Sequence, residues 1–292
     1  MEFRFYPLRF RFLAQTTVHF PPGLAGNTLR GALGSIFRRL ACRPECVDAR
    51  ACPVRAACAY ARTFEPSVVD AGPSGLADRP RPFVFRAAHL NGCTIPPGGR
   101  FDFGVNLFEL RDPPIRWFRD AFVELAKEGI GPGRGRAALE SMDDPWLAVL
   151  SLDPPARAVH CARVDFLTPT ELKSDGQLVE EPDFGTLARR IRDRIGTLSA
   201  LYGSGPLPID FALFGERASA VRTVNSDLQR VESSRRSTRT GQTHPLGGFT
   251  GFAEYEGDLT EFIPLLEAAQ FTGVGRQTTW GKGEIRVTGC SF

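Results

Sequence analysis

The chain is nearly without lysine. Lys stands only at positions 127, 173 and 282, so 33 of the 36 basic residues are arginine. Arginine's planar guanidinium suits phosphate and stacks on bases, whereas lysine acts as a point charge. Histidine is almost as scarce, with four copies at 19, 89, 160 and 244. No apolar run approaches the roughly 18 residues of a membrane-spanning helix, and none follows a basic start, so neither transmembrane helix nor signal peptide is expected and the expected location is cytoplasmic. An excess of one charge is missing too, since the formal net charge is only +3. An anionic partner must therefore be held by a local patch rather than by a globally basic surface. Cysteine occurs in odd number, seven in all. Without a secretion signal, that points to thiols or metal rather than to a disulfide framework.

With 42% hydrophobic and 24% charged residues in a chain of 292, the composition is globular and the length suits two ordinary domains. Residues 2 to 13 alternate Phe3, Phe5, Leu8, Phe10 and Phe12 with Arg4, Arg9 and Arg11, a half-buried strand in which Pro7 suggests a bulge or an edge. After Pro21-Pro22-Gly23, Leu29, Leu33, Ile36, Phe37 and Leu40 form one stripe of a helix, with Arg30 and Arg38 on its opposite face. Residues 41 to 82 read as an insertion. Strand patterns return at Phe83 to Ala87 and Phe101 to Leu107. Asp112-Pro-Pro opens a helix whose stripe is Ile115, Phe118, Phe122 and Leu125, with Gly129 as its C-cap. Gly129-Ile-Gly-Pro-Gly-Arg-Gly-Arg136 then leads, basic and glycine-rich, towards a strand. Strand, helix, two strands, helix and strand is the order of a ferredoxin-like domain.

A boundary at Asp153-Pro-Pro155 divides the chain into residues 1–152 and 153–292. Beyond it, His160 to Leu167 reads as a strand, and Asp183 caps a helix carrying Phe184, Leu187, Ile191, Ile195, Leu198 and Tyr202 on one stripe. Phe249 to Glu256 and Glu284 to Thr288 are strands, with a short helix around Pro264 between them. Between that helix and the last strand, Gly273, Gly275, Gly281 and Gly283 bracket Arg276, Trp280 and Lys282. Glycines that take positive φ expose successive amides to an anion, and the two cations add charge beside them. Residues 230 to 244 hold Arg235, Arg236 and Arg239 among hydroxyls and glycine, a basic segment of the kind that orders on RNA.

The run Pro245-Leu-Gly-Gly-Phe-Thr-Gly-Phe-Ala-Glu-Tyr-Glu-Gly-Asp-Leu259, a short helix and then Gly-Val-Gly-x-x-Thr-Thr-Trp-Gly-x-Gly resembles the C-terminal signature of the CRISPR-associated endoribonucleases that process precursor crRNA, members of the RAMP superfamily. Gly26-Asn-Thr-Leu-Arg-Gly-Ala-Leu-Gly34 is similar to the first helix of the same family. The resemblance implies an α+β chain of two tandem ferredoxin-like (RRM-like, RAMP) domains, the cysteine-containing insertion lying in the first. It implies cleavage without a metal cofactor, in which the RNA's own 2′-OH attacks the adjacent phosphate and leaves a 2′,3′-cyclic phosphate and a 5′-OH. That chemistry needs a group to take the 2′ proton, a group to protonate the leaving oxygen, and cations for the developing charge. His19, at the junction of first strand and first helix, and His244 are the candidates for proton transfer, with Arg30 and Arg38 for charge; His89 and His160 read as structural. The implied RNA contacts are Arg235, Arg236, Arg239, Gly273, Gly275, Arg276, Gly281, Lys282 and Gly283. The implied partners are CRISPR repeat RNA or crRNA and subunits of a CRISPR effector complex, with no membrane. A RAMP subunit that binds crRNA without cutting it is the alternative.

Cys42, Cys46, Cys52 and Cys58 run C-x3-C-x5-C-x5-C in the polar insertion. Four thiolates in so short a span suit a structural zinc, with an iron–sulfur cluster as the chemical alternative. Cys93, Cys161 and Cys290 stand apart and read as inert.

Overall fold

The computed structural model describes residues 1–43, 45–46, 52–66, 79–174, 176–232, 234–236, 243–245 and 247–290. The chain divides into two compact units: Arg4–Ala148 with Ala200–Gly203, and Met1–Phe3 with Val149–Ser199 and Ser204–Phe292.

The first unit contains β1 (Glu2–Ala14), β2 (Val18–His19), α1 (Ala25–Ala41), α2 (Ala59–Phe64), β3 (Phe83–Arg86), β4 (Thr94–Ile95), β5 (Arg100–Leu107), α3 (Ile115–Glu128) and β6 (Ala137–Met142). The main path of its sheet runs β3-β5-β1-β6. Alternation along β1 buries Phe3 and Phe5, then Leu8, Phe10 and Phe12. The phase slips by one residue at Tyr6-Pro7. On one side β1 pairs with β5 from Tyr6 onward, and on the other β6 begins only at Phe10. Pro7 thus lies outside the stretch bonded to β6, where a missing N–H is tolerated.

The helical stripe of α1, Leu29, Leu33, Ile36 and Phe37, is buried. The core it covers is made largely of phenylalanine. Phe103 lies 5.4 Å from Phe12 in a stacked arrangement and 4.9 Å from Phe122 edge-on, with Phe10 at 5.7 Å. Each such ring contributes its burial and a further ~0.5–1.5 kcal/mol per well-oriented pair.

The second unit contains β7 (Ala148–Ser151), β8 (Cys161–Thr170), β9 (Leu172–Ser174), β10 (Gln177–Val179), α4 (Phe184–Tyr202), α5 (Phe211–Ser219), β11 (Arg222–Val231), β12 (Ser234–Arg236), β13 (Thr243–Pro245), β14 (Gly248–Glu256), α6 (Ile263–Thr272) and β15 (Ile285–Thr288). Its main sheet runs β11-β14-β8-β15. Numbering the sheet strands of each unit one to four, both orders read two, three, one, four. The chain is a tandem of ferredoxin-like units. Asp183 caps α4 as expected, its carboxylate accepting from the Thr186 N–H at 2.8 Å and from the Thr186 hydroxyl at 2.7 Å.

Two elements of this unit had no sequence signal. β11 is exposed at nearly every position, so its residues follow no period of two. It forms because it pairs with β14 along the whole of Arg222 to Val231. Cys161 and Cys290, expected to be isolated, form a disulfide with Cα atoms 5.7 Å apart. The ladder between β15 and β8 explains the pairing: Thr288 stands opposite Arg163, and two further steps along the strands bring the cysteines face to face. No helix among the described residues is long and apolar enough to cross a membrane.

Deleting the Phe103 ring leaves a void bounded by three other rings. Phe103→Ala is expected to lower stability by ~3–5 kcal/mol, and Phe103→Leu by much less, as read from chemical denaturation followed by circular dichroism. Equal loss in the two variants would contradict this packing.

Candidate nucleic-acid interface

The C-terminal glycine loop joins α6 to β15. All four of its predicted glycines have positive φ, with Gly273 at 67°, Gly275 at 80°, Gly281 at 80° and Gly283 at 69°. The reason differs from the one expected. A Cβ on Gly283 would lie 1.9 Å from the Val274 carbonyl oxygen, and one on Gly275 would lie 2.4 Å from that of Glu171. The glycines let this loop press against the protein's own backbone.

Its amides are used the same way. Val274 N–H donates to Gly283 O at 2.9 Å, Arg276 N–H to Glu171 O at 3.0 Å, and Gly283 N–H to Pro169 O at 3.2 Å. The Glu284 N–H donates to the Thr168 hydroxyl at 2.9 Å. An anion cradle of free amides at these positions is therefore corrected to an internal clamp.

Lys282, expected to face RNA, is only 4% exposed. Its ammonium donates to Gly247 O at 2.6 Å and to Gln277 Oε1 at 3.0 Å, and lies 3.8 Å from Glu171 Oε2. Burial pulls its pKa below the ordinary lysine value, against the opposing pull of Glu171. Lys282 ties the loop to the Gly-Gly signature segment instead of offering a free charge. Arg276 keeps half of its side chain in solvent, with its guanidinium 2.5 Å from Glu171.

Beside this loop lies a cleft of about 690 Å³, lined by Leu178, Leu228 and Phe249 together with Glu171, Arg230 and Arg276. Arg230 is already paired with Glu180 at 2.8 Å. Apolar walls with carboxylate acceptors suit the flat face and amino edge of a nucleobase better than a phosphate. In the predicted basic segment, β12 and β13 pair with Arg235 opposite His244. The side chains of Arg235, Arg236 and His244, and all of Arg239, lie outside the described residues.

In the first unit, His19 sits on β2, whose partner β4 brings Thr94 alongside. The His19 ring is exposed, and its Nδ1 lies 2.9 Å from the Thr94 hydroxyl. Nε2 has no partner among the described residues. A ring oriented through one nitrogen with the other open is the geometry of a proton-transfer group. Thr94 is 75 residues away in sequence, and no local pattern announces it. Arg30 lies half-buried on α1, two residues beyond Thr28. Arg38 is turned away from the expected ligand face: its guanidinium donates to Cys46 O at 3.0 Å and lies 6.0 Å from the Tyr60 ring centre. Eight residues of helix place it about 12 Å from Arg30 along the axis. His89 accepts a structural role, with Nε2 at 2.9 Å from Asp102 O.

The cysteines of the insertion do not assemble as expected. Cys42 and Cys58 approach to 3.8 Å between sulfurs, and burial, reinforced by Cys58, raises the Cys42 thiol to about 12. Among the described residues no group of three or more His, Cys, Asp or Glu side chains converges as a metal site. The zinc expectation at Cys42, Cys46, Cys52 and Cys58 is not carried further.

Comparison with known proteins agrees with this architecture. A family model described as an N-terminal domain matches residues 3–151, and that of the CRISPR-associated endoribonuclease Cas6 matches residues 164–285. The CRISPR-associated endoribonuclease Cas6 of Mycobacterium tuberculosis is 33% identical over 128 residues, which cover 43% of this chain and 38% of that protein. Among solved structures, a Cas6 product complex superposes with a TM-score of 0.56 at 17% identity, covering 98% of this chain and 99% of the other. Thermus thermophilus Cas6 gives 0.52 at 16% identity, with 99% of each chain covered. The fold is the tandem ferredoxin-like one of these Cas6 structures. The match to Cas6 in sequence is carried by residues 164–285, and the aligned stretch spans 38% of the Mycobacterium tuberculosis protein.

The internal use of Lys282 separates two effects that its charge alone would merge. Lys282→Met leaves Gly247 O and Gln277 Oε1 without the donor they share and is expected to destabilise the protein by ~1–3 kcal/mol while leaving the salt dependence of RNA binding unchanged. Arg276→Ala should do the reverse, reducing the slope of log affinity against log salt by about 0.7 for one lost contact to single-stranded RNA. Thermal unfolding and binding titrations at several salt concentrations check both. A lower slope in Lys282→Met would return that residue to the RNA surface.

Proposed function

We propose that this chain is a precursor-crRNA-processing endoribonuclease, cutting the CRISPR repeat by attack of the 2′-OH on the adjacent phosphate. No metal cofactor takes part in the cut. The products are a 2′,3′-cyclic phosphate and a 5′-OH, and the protein keeps the crRNA within reach of effector-complex subunits. The observation that carries the mechanism is His19, exposed, oriented by Thr94 through Nδ1 and open at Nε2. In an endoribonuclease of that kind, this ring supplies what the reaction lacks in plain RNA, a fixed base for the 2′ proton. Attack forms the bond from O2′ to phosphorus and breaks the bond from phosphorus to O5′, so the proton taken at O2′ is balanced by one delivered at O5′. Arg30, on the helix that begins at Ala25, adds charge for the phosphorane in this reading, and Arg276 holds a phosphate farther along the strand. Lys282 serves by keeping the C-terminal loop in shape.

The cleft beside β12 and β13 supports base contacts from the repeat. Arg235, Arg236, Arg239 and His244 belong to the same RNA-contacting segment. Domain division at residues 152 and 153 is retained as part of this reading.

Labelled repeat RNA incubated with the protein in excess EDTA should give one cut, ending in a cyclic phosphate that acid opens. His19→Ala should slow that cut by ~10²–10⁴-fold, and a 2′-deoxy nucleotide at the cut should abolish it. Tight binding of a repeat that stays intact would instead make the chain a crRNA-binding RAMP subunit without nuclease activity.

A further inference from the structure

The glycine loop between second helix and last strand occurs twice in this chain. In the second unit it follows α6 as Gly273-Val274-Gly275-Arg276. In the first it follows α3 as Gly129-Ile130-Gly131, continuing Pro132-Gly133-Arg134-Gly135-Arg136. The correspondence extends to geometry. Gly129 and Gly273 each close their helix with positive φ, at 114° and 67°, and Gly131 at 76° matches Gly275 at 80°. Ile130 and Val274 are both buried, at 2% and 0% exposed. Ile130 N–H donates to Gly135 O at 2.8 Å, as Val274 N–H donates to Gly283 O at 2.9 Å.

Each loop also seats on the segment that follows the unit's first sheet strand. In the second unit the seat is Glu171. In the first unit it is the strand that carries His19: a Cβ on Gly131 would lie 2.5 Å from the His19 carbonyl oxygen, and one on Gly135 would lie 2.2 Å from that of Thr17. The Arg136 carbonyl accepts from the Gln15 and Thr16 N–H groups at 2.8 and 3.1 Å. Thr28 of α1 lies 3.6 Å from the same Gly131 position, so loop, His19 and the start of α1 share one place.

The two loops differ in charge. Arg276 and Lys282 have Glu171. Arg134 and Arg136 are both exposed and have no ion pair, hydrogen bond or ring partner for their guanidinium groups among the described residues. Five other arginines of the first unit pair with acids: Arg9 with Asp102, Arg11 with Asp143, Arg39 with Glu128, Arg62 with Asp112 and Arg100 with Glu140. Exposed Arg43, Arg111 and Arg119 are, like the loop pair, without an ion pair among the described residues. Arg134 is also held with φ at 47°, a left-handed conformation that a non-glycine residue adopts at some cost.

We propose that the Gly129–Arg136 loop is a phosphate-binding site on the RNA path, with Arg134 and Arg136 contacting the phosphate backbone at His19. The ligand is a ribonucleotide phosphodiester, and at the cut itself the two guanidinium groups stabilise charge on the phosphorane. This assignment rests on the endoribonuclease reading for its catalytic consequence, but not for the binding site.

The test uses full-length protein with Arg134→Gly and Arg136→Gln, singly and together, and with lysine at both positions. Two readouts are taken: single-turnover cleavage at saturating protein, and the salt slope of affinity for a repeat RNA blocked by a 2′-deoxy nucleotide at the cut. The double variant is expected to cleave ~10²-fold more slowly and to lose about 1.4 from the slope, at 0.7 per contact. The double-lysine variant should keep most of the slope, which separates lost charge from a lost fold. If the double Gly/Gln variant matches wild type in both readouts, the site is wrong. If wild type does not cleave but the slope still falls, the binding site stands and the nuclease reading fails.

Discussion

The constraint on which the rest depends is how closely two stretches of backbone can lie when no side chain intervenes. At Gly275, Gly283, Gly131 and Gly135 any Cβ would sit within 2.5 Å of a carbonyl oxygen. Such contacts are far inside van der Waals range, so only glycine fits. In both units the result is the same: the connection between second helix and last strand is pinned onto the segment leaving the first sheet strand. That pinning fixes what the segment carries. In one unit it is Glu171 with its two cations, and in the other His19.

Charge then distinguishes the two seats. A chain with net charge of only +3 has little overall field for a polyanion, so the proposed RNA contacts depend on where uncompensated arginine lies. The C-terminal loop is largely self-neutralised, because Glu171 faces both Arg276 and Lys282. An acid in that position costs affinity for a phosphate but holds the loop together and leaves a mixed, partly apolar cleft beside it. Among the described residues the N-terminal loop has no such acid. The two loops therefore share a backbone geometry but differ in how much of their charge is compensated among the described residues.

Much of the fold was legible because burial leaves a period. The stripes of α1 and α4 and the alternation in β1 each put one face into a core, and the residues record it. β11 was missed for the converse reason: exposed on both faces, it has no period, and its strand state is imposed by β14. The disulfide was missed because its cysteines are 129 residues apart and meet only through strand register. Lys282 misled because a cation among glycines looks the same in sequence whether it faces solvent or fills a polar hole. The cysteine cluster misled because spacing alone does not direct thiolates to a common centre. The place of His19 between the first long strand and the first helix was legible, but the Thr94 hydroxyl beside its ring was not.

The most direct measurement of where the strand is cut is photocrosslinking. A non-cleavable repeat RNA carries one photoreactive nucleotide beside the cut position, and the adducted peptides are mapped by mass spectrometry. Adducts in the peptides spanning residues 15–31 and 128–136 are expected. Adducts confined to residues 271–283, with none near His19, would contradict the placement of the scissile phosphate in the N-terminal unit.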